Sequence, residues 1–99
     1  MNDAEQLTPE TFEEHVGTEF RLAGSDGGGT AIKLVAVERL GDAPEGHREP
    51  FSLQFEGQED LVIPQRTHGL RHEGLGDLDV FIVPLGPKAG AMRYEAVFG

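Results

Sequence analysis

Beyond Gly17 the polypeptide is cut into short runs by glycine and proline, and within each run apolar and polar residues alternate with a period of two. Fourteen glycines and 6 prolines in 99 residues disfavour long helices, so a helical bundle is excluded and short strands joined by turns remain. Enough hydrocarbon is present to fill a core, since 26 of the 99 residues are Leu, Ile, Val or Phe. That length accommodates one domain, residues 1–99.

The exception to the two-residue period lies at the start. Thr8 offers a hydroxyl cap, Pro9 suits the first helical position, and Leu7 and Phe12 occupy the two positions of a hydrophobic staple. Gly17 tolerates the positive φ that ends a helix, so residues 9–16 are predicted helical with Phe12 and Val16 on one face. Phe20 and Leu22 then alternate with Glu19 and Arg21 in a strand at 18–23. In the next strand, 30–40, Ile32 and Leu34 select one face and Val35 and Val37 the other, which predicts a bulge or a stretch buried on both sides. Phe51, Leu53 and Phe55 define a strand at 50–56, a short apolar run at 61–63 is stopped by Pro64, and a further strand spans 67–72. Leu78, Val80 and Ile82 against Asp79, Phe81 and Val83 make 77–84 a strand buried on one face and mostly covered on the other, and 91–98 is the last. The connections are too short for parallel crossovers. The predicted fold is therefore all-β and mainly antiparallel: a meander of six or seven strands forming a small barrel or sandwich, plugged or flanked by the N-terminal helix.

Charge narrows the partners. Eighteen Asp and Glu against 8 Lys and Arg give a net charge of −10, a field that repels phosphate backbones, so no nucleic-acid partner is expected. No apolar run approaches the roughly 18 residues of a membrane span, and Met1 to Glu5 lacks the basic and apolar parts of a secretory signal. A cytoplasmic protein without a membrane partner is the expectation. With no cysteine there is no disulfide or thiolate, and a small core of this kind gains from self-association or a protein partner.

The chemistry-bearing residues form no recognised motif. The glycine-rich stretch from Gly24 to Thr30 lacks the lysine of a phosphate loop and runs into a strand instead of a helix. His68 and His72 have a four-residue spacing, but on a strand that places them about 13 Å apart, too far to bind one ion, and a metal site would need a third ligand such as Glu73 or His47 brought round by folding. Glu73, Asp77 and Asp79 offer carboxylates in a pattern that does not match a calcium loop. His15 falls where it can cap the helix, His47 sits in a polar loop, and no serine stands in a nucleophile elbow. No catalytic, cofactor-binding or metal-ligating residue is assigned. The Arg93-Tyr94-Glu95 stretch is the candidate interaction surface, because Tyr and Arg are enriched among interface anchors. Its alternative is a core Tyr94 flanked by charges that pair with neighbouring strands.

Three segments carry a resemblance: Leu7 to Phe12 with Val16-Gly17, Pro50 to Gly57, and Gly74 to Pro87 followed by Met92 to Phe98. In these the chain resembles a small bacterial family of single-domain proteins of unknown function. The resemblance implies one unit of this length, no catalytic residue to carry over, and a role as an accessory component of a phage-tail-like assembly. His68, where the resemblance calls for an aromatic such as Tyr, and the glycines at 27–29 depart from it. The expected function is a non-enzymatic structural or protein-interaction module. A small-ligand or metal-binding barrel using His68, His72, Glu73, Asp77 and Asp79 is the alternative.

Overall fold

The computed structural model describes residues 8–22, 30–41, 50–60 and 62–98. Leu7, the glycine run at 24–29 and His47 lie outside them, and so do the expectations placed there.

Helix α1 spans Pro9–Glu13, capped by Thr8, whose Oγ1 accepts the Thr11 N–H at 3.3 Å. It stops three residues before its predicted end. The His15 N–H reaches back only as far as the Phe12 carbonyl, at 2.9 Å, and Gly17, with φ at +94°, sends its N–H to the Leu34 carbonyl at 2.7 Å. The backbone bonds that would continue the helix go to the sheet instead. Phe12 is fully buried, whereas Val16, predicted to share its buried face, lies in this turn with 44% of its surface exposed.

Six strands occur among the described residues: β1 Glu19–Leu22, β2 Ala31–Arg39, β3 Phe51–Gln58, β4 Arg66–His72, β5 Gly76–Lys88 and β6 Ala91–Phe98. They close a barrel in the order β1-β2-β3-β6-β5-β4, antiparallel at every pairing. The all-β, antiparallel prediction holds, with the barrel realised and the simple meander not. β3 and β4 lie on opposite sides of the ring, so β3 to β6 form a Greek key.

The link between those two strands is where a seventh was predicted. Val62 to Pro64 is irregular. It crosses a mouth of the barrel, with Ile63 buried, its N–H donating to the Tyr94 hydroxyl at 3.0 Å, and the Pro64 carbonyl accepting from His68 Nε2 at 2.7 Å. Side chains here satisfy the backbone groups that a ladder would otherwise take.

Two register shifts bend the sheet. One falls between Leu34 and Ala36, leaving Val35 as the extra residue and resolving the double alternation of that strand. The other, between Pro84 and Gly86, carries β5 past its predicted end at 84 to Lys88. Proline is tolerated there because β5 pairs with β4 only as far as Ile82 and beyond that with β6 alone.

Alternation delivers Phe20, Ile32, Leu34, Phe51, Leu53, Phe55, Leu70, Ile82 and Tyr94 to the interior, each with at most 1% exposure. Phe12 enters through the mouth opposite Ile63 and packs on Phe51 and Phe98 with ring centroids 5.8 and 5.6 Å away. Both ends of the barrel are thus plugged by hydrocarbon. Arg39, at the end of β2, binds Glu10 and Glu13 at 3.0 and 3.2 Å and holds α1 over its mouth.

Candidate functional site

His72 is the last residue of β4, turned inward by the alternation that also buries His68 and Leu70. Its ring lies 4.3 Å from Phe20 and 4.6 Å, edge-on, from His15. The Gly74 and Leu75 N–H groups both donate to His72 Nδ1, at 2.9 and 3.1 Å. A backbone amide can only donate, so Nδ1 carries no proton and the ring is the neutral form protonated at Nε2. Nε2 then donates to Thr18 Oγ1 at 2.9 Å, and the Thr18 hydroxyl donates onward to the His15 carbonyl. Each step fixes the next. Burial of the ring, with His15 beside it, holds the His72 pKa below the ordinary histidine value, against a smaller opposing pull from Glu73.

Beside this chain of bonds lies a cleft of about 700 Å³ lined by His15, Thr18, Arg21, Arg71, His72 and Glu73 among others. Gly74 forms part of its wall, and a Cβ there would stand 3.0 Å from His15 Cε1, so a larger residue would need the His15 ring to shift. Arg71 binds Asp77 at 3.1 Å. The cleft therefore presents mixed charge, with two guanidinium groups balanced by nearby carboxylates.

The residues predicted for a metal or ligand site disperse. His68 faces the crossing segment and binds Pro64, His72 is committed to Thr18 and the following turn, Asp77 pairs with Arg71, and Asp79 stands opposite Gly69 on the exposed face. Glu73 alone joins His72 at the cleft. Among the described residues no three His, Cys, Asp or Glu side chains are placed to hold one ion. What sequence reasoning missed is the pairing of His72 with His15 and Thr18, the latter 54 positions away. Its one local signal is His15, whose place near the predicted helix end suits capping equally well.

The predicted interaction triad also separates. Tyr94 is fully buried with its hydroxyl bound to Ile63, so it is a core residue and not a surface anchor. Burial, only partly offset by the Ile63 hydrogen bond, raises its pKa and keeps it a phenol. Arg93 pairs with its cross-strand neighbour Glu56 at 3.4 Å, and Glu95 stands half-buried between Gln54 and Val83. Glu19, Lys33, Glu56 and Arg93 are successive cross-strand partners, giving an outer band of alternating sign.

The apolar residues that do reach solvent lie elsewhere. Phe81 was expected to be mostly covered, but is 50% exposed, and Val97 is 59% exposed. Thr67 is the partner of Phe81, and Ser52 of Val97. The register of β5 with β6 begins at Val83↔Glu95, and Phe81 and Val97 each lie two residues beyond it, on the same outward side. Thr67, Phe81 and Val97 thus form an uncharged exposed row on a protein of net charge −10, and Ser52, at the end of that row, is fully buried. Ser52 Oγ is buried without a hydrogen-bond partner among the described residues.

A closed six-stranded antiparallel barrel, plugged at both mouths and bearing a small histidine-lined cleft, is the class of protein these features define. The chain belongs to the family described as a domain of unknown function (DUF6916), whose model matches residues 7–98. No curated protein and no solved structure matches it significantly. No helix among the described residues is long and apolar enough to cross a membrane.

Proposed function

We propose that this protein is a non-enzymatic interaction module of the cytoplasm that joins a protein partner, or copies of itself, through the outer row formed by Thr67, Phe81 and Val97. The carrying observation is the exposure of Phe81 and Val97 on the adjacent strands β5 and β6; Val16, Leu40, Val62 and Leu85 are the other large apolar residues exposed among the described residues. Aromatic and aliphatic side chains are what the centre of an interface offers, with the carboxylates of Asp79 and Glu95 at its margin. The surplus of carboxylates around them favours a partner with a basic rim. A non-catalytic role is consistent with the chemistry inside: the imidazoles of His68 and His72 and the hydroxyl of Tyr94 are spent on structural hydrogen bonds, and most other buried side chains among the described residues are hydrocarbon. Such a module fits an accessory place in a larger, phage-tail-like assembly.

The test is capture from the native host, comparing the wild-type protein with the Phe81→Glu, Val97→Glu double variant. A stoichiometric protein retained by the first and lost by the second supports the reading. Equal recovery by both removes it. The cleft at His15 and Glu73, at about 700 Å³, favours a second reading as a small-ligand barrel, without a metal constellation to specify the ligand.

A further inference from the structure

The seams that close the barrel are unequal. Among the described residues, β3 pairs with β6 at eight register positions and with β2 at six, whereas β1 meets β4 at two, Arg21↔Arg71 and Leu22↔Leu70. One of those two pairs sets like charges directly opposite each other, which weakens it. Just past it the seam is continued by side chains: His72, at the end of β4, binds Thr18, immediately before β1. We propose that His72 is a pH-operated clasp on the β1–β4 seam, which holds the barrel shut while its ring is neutral and releases that seam when the ring takes a second proton.

The chemistry of release is written in the donors. A proton on Nδ1 would face the Gly74 and Leu75 N–H groups, so three donors would converge and both backbone hydrogen bonds would be lost. Nε2 keeps its proton, so the seam is released by the cationic ring leaving its buried place for solvent, which takes it away from Thr18 as well as from the turn that carries buried Leu75. Of the charged and titratable groups around the ring, His15 faces it from the turn after α1, Glu19 and Arg21 from β1, Arg71 from β4, and Glu73 from the β4–β5 turn. Asp77, on β5, is engaged by Arg71. Glu73 opposes release and His15 favours it, and burial of the ring outweighs both. The opened seam binds more protons than the closed one, so opening becomes easier as pH falls from about 6.5, the ordinary histidine value, towards the lower value of the closed form.

The experiment is an NMR titration of the nitrogen-15-labelled protein from pH 8 to pH 5, combined with amide hydrogen exchange corrected for its intrinsic pH dependence. His72 is expected to be the Nε2-protonated tautomer at pH 8 and to titrate below 6.5, with the Gly74 and Leu75 amides shifting at the same midpoint. Protection at residues 21, 22, 70 and 71 should fall by up to about tenfold per pH unit between 6.5 and that midpoint, while the β3–β6 ladder keeps its protection. In His72→Gln the step should vanish. Should that variant fail to fold, Thr18→Val, which keeps the ring but removes its acceptor, should lower seam protection already at pH 8. A His72 midpoint at or above 6.5, or a seam whose protection falls no faster than that of the β3–β6 ladder, overturns the proposal.

Discussion

At the scale of single residues, two aromatic groups with polar tips do what no backbone ladder does in this barrel. Tyr94 lies fully buried yet ends in a hydroxyl that accepts the Ile63 N–H, and His68 likewise binds the Pro64 carbonyl, so the segment crossing the mouth is tied down from β6 and from β4. Tyr94→Phe keeps the ring and strands a buried donor, and should cost about 1–3 kcal/mol in urea unfolding. A loss below a few tenths would mean that the N–H finds another acceptor. This hydrogen bond also explains what the sequence could not reveal. Tyr94 between Arg93 and Glu95 can be read as anchor or as core, and the segment that decides for the core by binding its hydroxyl is 31 positions distant. His72 was legible as a histidine at an inward position of a strand; that its partners would be Thr18 and two amides of the following turn depends on where the ring closes.

The elements were more legible, and their errors share a cause. Alternation of Phe20 and Leu22, of Phe51, Leu53 and Phe55, and of Leu78, Val80 and Ile82 translates directly into inward side chains, and the broken alternation at Val35 marks a true bulge. Local pattern fails where a long-range hydrogen bond decides: α1 ends early because Gly17 joins Leu34, and the apolar run before Pro64 is a plug instead of a strand. The β5–β6 hairpin has one visible flaw of its own. Its two-residue loop places Ala89 at φ +54° and Gly90 at +85°, the geometry of a type I′ turn, in which alanine is strained and asparagine is preferred. Ala89→Asn should therefore stabilise the protein by about 1 kcal/mol, read as a raised urea midpoint with an unchanged slope. A lowered midpoint would contradict the turn assignment.

At the scale of the whole molecule, closure depends on what fills the two mouths. Phe12 is supplied by a helix of five residues, yet its ring reaches the buried Phe20, Phe51 and Phe98. Phe12→Ala should cost about 3–5 kcal/mol, the range for emptying a packed aromatic site, and should reduce the protection of β1 and β6 residues nearest that mouth first. A uniform loss across the barrel would instead mean that closure is cooperative throughout. Protonation acts on the same end. The lowered pKa of His72 contributes stability that is complete above about 6.5 and is lost as pH falls through the value of the folded form. The difference in melting temperature between the wild type and His72→Gln should accordingly shrink from pH 7.5 to pH 5, and a difference constant with pH would contradict the assigned tautomer.

With its core packed and His68 and His72 engaged, the barrel offers an outer wall and a side cleft, and the two are distinguishable by one measurement. Titrating the protein captured from the host into the labelled barrel, and following each backbone amide, reports which surface is used. Perturbation concentrated at Thr67, Phe81, Val97 and their neighbours is the predicted outcome. Perturbation centred on Thr18, Arg71, Glu73 and Gly74, with that outer row unmoved, would place the function in the cleft and contradict the account.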